Sequence, residues 1–378
     1  MSVQLTIKSP LSHEDAEAED AIPDALQTSS APEESTPRWH SVHKFIIGNF
    51  LPLGFFLALI VSLSCPSLGK VALAPEYKGF SILSTFNIIC VFFLSGVILN
   101  VGGTIGEVHT HWRAFALGLL SILFLTPLVG FIAVNLPLRP VEFAAGLGVF
   151  YCTPTTLGVG QALTLAAGGN FSVALALTVT TNILAVFLAP YTVTLVLSTS
   201  TMTAESLRFD PVVVFFKLVL TVLLPCLLGA LANISLPHVK AFVARHRTAI
   251  GLLSNSNLVC LIWQRLSSAA DSILHLPAGD IALVIFASSA FHVILLAALF
   301  AVTSPRSYLS LPVRERVAVV VMSSQKSAPV AISLIAYMSS DARQQGLLSI
   351  PPLCGQLCQL FIGSALIPRL QKLVQSGD

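Results

Sequence analysis

A lysine and a proline interrupt an otherwise apolar stretch near the C-terminal end of the chain. The segment Ser323-Ser324-Gln325-Lys326-Ser327-Ala328-Pro329 is flanked by runs of Val, Ala, Ile and Leu. The flanks predict that Lys326 lies in the middle of a membrane span, where a lysine costs about 2.5–3.5 kcal/mol. Pro329 lacks an amide donor and clashes with the preceding turn, so it predicts an opened or kinked helix. A cation beside a broken helix at membrane depth indicates a transport site.

A second polar interruption, Thr153-Pro154-Thr155-Thr156-Leu157-Gly158-Val159-Gly160-Gln161, lies in an earlier apolar stretch. Its proline, glycines and threonines predict another opened helix. Irregular backbone at membrane depth persists only where protein or a water-filled cavity satisfies it. Freed carbonyls and hydroxyls could ligate a small cation there, while half-helix N-termini attract an anion. A kinked helix stabilised by Ser and Thr, without a ligand, is the alternative.

Other polar side chains are placed where they could face these two breaks. Thr178 and Asn182 lie in the middle of the helix that follows the first break, and Gln356 and Gln359 share one face of the last helix. Single buried polar residues can also simply bind a neighbouring helix. The predicted substrate- or ion-binding residues are Thr153, Pro154, Thr155, Thr156, Gly160, Gln161, Thr178, Asn182, Ser324, Gln325, Lys326, Ser327 and Pro329.

The composition is typical of a polytopic membrane protein. Hydrophobic residues make up 54% of the 378 residues and charged residues 10%, compared with about 25% charged residues in soluble domains. The apolar residues form runs close to the roughly 20 residues that span a bilayer. A net charge of +2 is too small to indicate a nucleic-acid partner. The lipid bilayer is therefore the predicted environment, and nucleic acid is excluded as a partner.

The first 40 residues are polar and include an acidic run at 14–20, which predicts a disordered cytosolic tail over 1–40. No early apolar segment suits a signal peptide, and the acidic residues argue against a transit peptide. We therefore expect the plasma membrane or an endomembrane of the ER or Golgi, rather than a plastid. Lys and Arg are more frequent at the span ends on the N-terminal side of the membrane. This bias predicts that both termini, including a short tail over 371–378, are cytosolic.

Ten apolar stretches predict ten transmembrane spans. They are 45–64, 80–101, 114–135, 141–167, 170–198, 212–232, 249–270, 281–303, 315–338 and 344–368. Identical residues recur at matching positions in both halves of the chain. The pairs are Glu142 with Glu315, Pro154 with Pro329 and Pro190 with Pro368. We therefore predict two five-helix repeats, 41–200 and 201–370, of which the second is inverted because each has an odd number of spans. Coincidence among similar helices is the alternative. The polar pair Gln264-Arg265, near the end of span seven, is expected to snorkel to the interface.

The combination of Cys152-Thr153-Pro154, Ala166-Ala167-Gly168-Gly169-Asn170 and Ser324-Gln325-Lys326-Ser327 resembles the sodium/bile-acid cotransporter superfamily. The member-7-like branch is the part of that superfamily that it resembles most, over roughly residues 45–370. The resemblance implies an all-α fold of ten transmembrane helices with a panel of spans one, two, six and seven. Spans three to five and eight to ten would form a mobile core, in which the discontinuous spans four and nine cross at their breaks. Transport in this fold follows elevator-type alternating access.

The ion-binding positions implied by the resemblance differ from those of the sodium-coupled members. Those members have Glu-x-Gly-x-Gln-Asn in the second crossing helix, and Gln325 stands here at the position of that Glu. Gln161 takes the place of an Asn in the first crossing helix, while Thr178 matches a family Thr. The resemblance thus implies that Gln161, Thr178 and Gln325 could hold a sodium coupling ion. It implies no other cofactor.

The position of Lys326 suggests a different way to provide a positive charge. An ammonium fixed where sodium would sit could replace the ion, neutralise an anionic substrate, or carry a proton. A lysine that snorkels along the break to water is the alternative reading.

The function that fits best is a secondary active transporter, a symporter-like solute carrier for a small organic anion, coupled to sodium or protons. The alternative is a non-transporting membrane regulator of cellular calcium homeostasis, because the member-7-like branch is associated with that process. No paired carboxylates, HExxH or nucleophile motif lie in the spans, so we do not expect an enzyme.

Overall fold

The computed structural model describes residues 46–77, 80–99, 109–200, 207 and 209–377. The predicted tail over 1–40 lies outside these residues. A short antiparallel ladder joins β1 (Glu76–Tyr77) to β2 (Phe80–Ser81). The helices before residue 200 are α1 Phe50–Ser64, α2 Pro66–Leu73, α3 Ile82–Ile98, α4 Trp112–Leu120, α5 Thr126–Ala133, α6 Val141–Tyr151, α7 Val159–Ala166 and α8 Phe171–Ser198. The later helices are α9 Pro211–Leu218, α10 Leu224–Ser235, α11 Pro237–Leu274, α12 Ala278–Val302, α13 Val313–Ser324, α14 Ala328–Met338 and α15 Ala342–Ser376.

Six helical stretches in the described residues are long and apolar enough to cross a bilayer. They are Trp112–Ala133, Phe171–Ser198, Pro211–Ser235, Ala278–Val302, Val313–Met338 and Ala342–Ser376. A seventh results if α1 and α2, which are bent by 98° relative to each other, form one span. Helices α3 and α6 are apolar but shorter. The structure thus confirms a predominantly helical integral membrane protein, whereas the ten spans and the inverted repeat stay predictions.

Two glycines bring the backbones of α3 and α10 into contact. A Cβ atom added at Gly96 would overlap the carbonyl oxygen of Cys226, and one added at Gly229 would overlap that of Phe93. Small residues permit this close approach between membrane helices. Helix α11 packs against both α1 and α3. We call α1, α3, α9, α10 and α11 the panel helices, and α4 to α8 with α12 to α15 the core helices.

Both predicted interruptions are real breaks in the helices. Helix α6 ends at Tyr151 and α7 begins at Val159, so seven residues separate them. Helix α13 ends at Ser324 and α14 begins at Ala328. Pro329 therefore lies in the first turn of α14, where its missing amide leaves no hydrogen bond unmade. The second break is the shorter one, and Lys326 is its central residue.

Two helices contain a wider π-helical turn. One turn, Ser121–Leu125, joins α4 to α5, and the other, Val219–Leu223, joins α9 to α10. In each turn the amide after the turn bonds five residues back instead of four. Prolines follow both turns, at Pro127 and Pro225. Such turns are frequent at functional sites, and the first one contributes directly to the site described below.

Candidate functional site

The two helix breaks touch each other through their main chains. The amide of Ser327 donates a hydrogen bond to the carbonyl oxygen of Pro154 at 3.0 Å and lies 3.3 Å from the hydroxyl of Thr153. Ser327 also caps α14, since its hydroxyl accepts from the Val330 amide. The two breaks are thus in direct contact. Their contact brings the polar residues of both segments together.

Lys326 is fully buried between the two breaks. Its side chain is 0% exposed, and its Nζ atom donates to the carbonyl oxygens of Thr153 at 2.6 Å and Ile122 at 3.2 Å. A buried charge costs several kcal/mol unless polar partners surround it. Here the partners are main-chain carbonyls from two different core segments. The ammonium therefore sits where a small cation bound by carbonyl oxygens would sit, and it does not snorkel to water.

The carbonyl of Ile122 is available because of the π-helical turn. Thr126 donates its amide to Ser121 rather than to Ile122. The residue five positions after Ile122 is Pro127, which has no amide to donate. The oxygen instead accepts from the Thr126 hydroxyl at 2.7 Å and from Lys326. A local helix defect thus supplies one of the two oxygen ligands of the ammonium.

Two glutamines of α15 satisfy the open backbone of the second break. The Lys326 amide donates to Oε1 of Gln359 at 2.8 Å, and the Ala328 amide donates to Oε1 of Gln356 at 3.1 Å. Gln325 returns a bond from its Nε2 to the carbonyl of Gln359 at 3.1 Å. These contacts confirm that the shared face of Gln356 and Gln359 turns toward the break. The free amides at the start of α14 are therefore already occupied by amide oxygens.

The first break is joined to α8 by an asparagine. Nδ2 of Asn182 donates to the carbonyls of Thr155 at 3.1 Å and Thr178 at 2.8 Å. The Thr178 hydroxyl donates to the carbonyl of Ala174 within its own helix. Oδ1 of Asn182 and the hydroxyl of Thr155 are buried and have no hydrogen-bond partner in the described chain. These two groups remain available for a ligand or water.

The start of α7 packs closely against α13. The amide of Gly160 donates to the Thr156 hydroxyl at 2.7 Å, which organises the first turn of the half-helix. A Cβ atom at Gly160 would lie 2.9 Å from the sulfur of Met322, so a larger residue would push α7 away. Gln161 is buried beside it, and its Nε2 atom lacks a partner within the described residues.

The predicted sodium ligands do not bond to one another. Thr178 and Gln325 each donate to a carbonyl, as described above, and Oε1 of Gln325 is left buried without a partner in the described ranges. No aspartate or glutamate among the described residues is buried. The same residues contain no cluster of three His, Cys, Asp or Glu side chains. The donor set therefore suits a cation held by neutral oxygens, and one such position contains the ammonium of Lys326.

One buried histidine at the second break was not among the predicted site residues. His292 of α12 is fully buried, and its Nδ1 lies 3.2 Å from the carbonyl of Ser324 at the end of α13.

The expectation that Gln264 and Arg265 snorkel to the interface was wrong, because both are buried. Nη2 of Arg265 reaches the Ser84 hydroxyl at 2.6 Å instead. Sequence position near a span end does not reveal such a partner on another helix.

A cavity of about 380 Å³ lies between the panel helices α3 and α10 and the core helix α8. Phe92, Val186, Val222 and Cys226 give it an apolar lining, and Asn182 contributes a polar group. Phe92 and Leu99 place the cavity toward the end of α3, whereas the lining residues from Cys226 to Ile234 follow the whole length of α10. The Asn182 side chain thus joins this cavity to the first helix break.

Broken helices that meet beside a cavity inside an apolar helical bundle define a membrane transporter of the secondary type. A sequence model of the SBF-like CPA transporter family matches residues 49–372, and the chain belongs to this family. The chain is 31% identical to the probable sodium/metabolite cotransporter BASS4, chloroplastic, of Arabidopsis thaliana, over 85% of this chain and 72% of that protein. It is 23% identical to sodium/bile acid cotransporter 7 of Mus musculus, over 85% of this chain and 93% of that protein. These relatives confirm the resemblance stated from the sequence motifs.

Proposed function

We propose that this chain is a secondary active transporter, a symporter-like solute carrier that moves a small organic anion by elevator-type alternating access. The observation that carries the proposal is the buried ammonium of Lys326, which bonds to carbonyls of Ile122 and Thr153 at the crossing of two broken helices. A cation at such a crossing gives the interior a positive charge that an anionic substrate can neutralise. The two relatives named as cotransporters support the same function.

In the proposed mechanism Lys326 replaces one coupling cation. Its Nζ occupies the carbonyl ligands that a sodium ion would need, so transport requires no sodium at that point. A sodium ion or a proton bound near Gln161, Thr178 and Gln325 would add the coupling. The remaining predicted residues form the polar surface along which substrate or ion binds. They are Thr153 to Thr156, Gly160, Asn182, Ser324, Ser327 and Pro329.

The arrangement of the cavity supports alternating access between panel and core helices. The cavity lies between the two groups, with α3 and α10 on one side and α8 on the other. Both broken helices belong to the core helices, so a shift of the core would carry Lys326 and Asn182 along the panel. The proposed transporter has ten spans in two inverted five-helix repeats. Its termini are cytosolic, and it lies in the plasma membrane or an endomembrane.

Uptake into proteoliposomes tests the proposal. Purified protein would be reconstituted and assayed with a broad set of radiolabelled organic anions, under sodium and proton gradients applied separately. Lys326→Ala should abolish uptake and Lys326→Arg should reduce it, because guanidinium is larger and planar. Lys240→Ala, at an exposed lysine, is the matched control. Unchanged uptake rate and pH dependence in both Lys326 variants would contradict the role of the lysine.

The same assay addresses the alternative of a calcium regulator. The absence of buried carboxylates among the described residues is the observation that favours this alternative, since sodium coupling through carboxylates is then unavailable. Wild-type protein that transports none of the anions under either gradient would exclude the carrier. Altered calcium homeostasis in cells expressing Lys326→Ala would then identify the regulator.

A further inference from the structure

A second buried cation, Arg265, lies in the panel helices. Its side chain is 3% exposed, Nη2 donates to the Ser84 hydroxyl at 2.6 Å, and Nε has no hydrogen-bond partner in the described chain. Guanidinium groups have five N–H donors that need acceptors when buried. Arg265 is thus a fully charged group whose hydrogen-bonding capacity is largely unused.

No acidic side chain is buried with Arg265 in the part of the chain that the structure describes. Glu76, on β1, is exposed. The ion pairs found among the described residues are Lys70 with Asp271 and His111 with Glu315, and neither includes Arg265. Buried charges in proteins are normally paired, because an unpaired one costs several kcal/mol. The described interior therefore has two buried cations and no buried anion.

The two buried cations differ in the number and kind of their hydrogen-bond acceptors. Lys326 has two carbonyl ligands, whereas Arg265 has one neutral hydroxyl. Asn87, one turn after Ser84 on the same face of α3, is also buried, and its Nδ2 has no partner within the described ranges. Arg265 and its neighbouring helix α3 thus each contain a buried donor without an acceptor in the described residues.

The donors lie where a core helix closes against the panel. The Tyr337 hydroxyl, near the end of α14, donates to the Thr221 hydroxyl of the second π-helical turn at 3.0 Å. Lys217 of α9 lies with its Nζ 5.4 Å from the centre of the Tyr337 ring. Ser84 stands at the start of α3, whereas the cavity lies toward the end of α3. Core helix α15 packs directly against the panel at Arg265, because a Cβ atom added at Gly346 would overlap the carbonyl oxygen of Arg265.

We propose that Arg265, together with Ser84 and Asn87, forms a binding site for the oxyanion group of the substrate on the panel, opened when α15 moves away with the core helices. The inference rests on the proposed function, because it supplies the panel half of anion recognition. A carboxylate, sulfonate or phosphate offers two oxygens that match the planar guanidinium fork. Uncovering Arg265 would give its unused N–H groups the anionic partner that they lack in the closed arrangement.

Ligands with one common ring and different charged groups test this site. Benzoate, benzenesulfonate and phenyl phosphate would be titrated against purified full-length protein in detergent, with benzamide as the uncharged analogue. The melting temperature reports binding to the folded protein. At least one oxyanion should stabilise the wild type, and benzamide should not.

Variants separate the guanidinium from general charge effects. Arg265→Gln should weaken the apparent Kd of the oxyanion by about tenfold or more, while the exposed Arg343→Gln should change it by less than about twofold. Arg265→Lys should give an intermediate affinity and altered preference among the three oxyanions. If Arg265→Gln does not fold, the test uses Arg265→Lys and Ser84→Ala instead. A changed preference among the three oxyanions in these variants would support the site. Equal affinity of wild type and Arg265 variants, equal effects of benzamide, or no stabilisation by any oxyanion would each overturn the site.

Uptake measurements on the same variants distinguish this site from the carrier function. Arg265-dependent binding without uptake of any anion would leave the site intact and exclude the carrier. Uptake by Arg265→Gln with the KM and rate of the wild type would exclude the site and leave the carrier intact.

Discussion

The Nζ atom of Lys326 lies 3.2 Å from the carbonyl oxygen of Ile122, although 204 residues separate them in the chain. The contact joins the last broken helix to the π-helical turn between α4 and α5. It exists because the turn and Pro127 together leave that carbonyl without an amide donor. A lysine in the second helix break thus depends on a helix defect between α4 and α5.

Restoring the missing amide should compete with Lys326. Pro127→Ala supplies an N–H that can bond to the Ile122 carbonyl, so we expect a weaker Lys326 contact and slower uptake. A double-mutant cycle with Lys326→Met should give a coupling of about 1 kcal/mol in the free energy of unfolding. Pro225→Ala makes the same change at the second π-helical turn and should show no coupling with Lys326→Met. Purely additive effects in the first cycle would contradict the proposed dependence.

Removing the lysine should create a sodium site. Lys326→Ala leaves the Ile122 and Thr153 carbonyls without their cation, and sodium accepts such oxygen ligands. We expect sodium chloride to raise the melting temperature of Lys326→Ala relative to choline chloride at equal ionic strength. The wild type should gain less from sodium chloride than Lys326→Ala does, because Lys326 already occupies these carbonyls. A sodium effect of the same size in both proteins would argue against substitution of the ion by the ammonium.

Gln359 should be essential for the geometry of the second break. Gln359→Ala removes the acceptor of the Lys326 amide and leaves that amide buried and unpaired, at a cost of about 1–3 kcal/mol. Gln371→Ala, at an exposed glutamine on the same helix, is the control and should be nearly neutral. Chemical denaturation in micelles would measure the free energy of unfolding of both variants. Equal stability of the two variants would show that Gln359 is not needed to hold the break.

The contact between α3 and α10 should not tolerate a larger residue. Gly229→Val places side-chain atoms against the backbone of α3 and should destabilise the protein by about 1–3 kcal/mol. A Cβ atom added at Gly251 of α11 meets no atom within 4 Å, so Gly251→Val serves as the matched control. The melting temperatures of the two variants measure this difference in stability. A similar small loss in both would mean that α3 and α10 can separate without cost.

The helix breaks could be predicted from sequence because their causes are local. Pro154 and the neighbouring threonines and glycines cannot continue a helix, and Lys326 marks the second break by its charge. The partner of Lys326 could not be predicted, because the freed Ile122 carbonyl depends on helix register across the bundle. The adjacent Thr126-Pro127 pair is the one signal that could have indicated it.

The burial of Arg265 was mispredicted for a similar reason. Near a span end, a long cationic side chain usually reaches water, and only a neighbouring helix can hold it inside. Ser84 provides that contact from a helix far away in sequence. Local periodicity places Arg265 along its own helix but does not determine what faces it.

Lys326 belongs to the core helices, whereas Arg265 belongs to the panel. In an elevator motion the charge of Lys326 would cross part of the membrane field, while that of Arg265 would stay in place. A core that carries a monovalent anion would be neutral at this point, but an empty core would return with one positive charge. A membrane potential of 100 mV acts on one full charge with about 2.3 kcal/mol. Without a bound coupling ion, the potential would therefore act mainly on the empty return step.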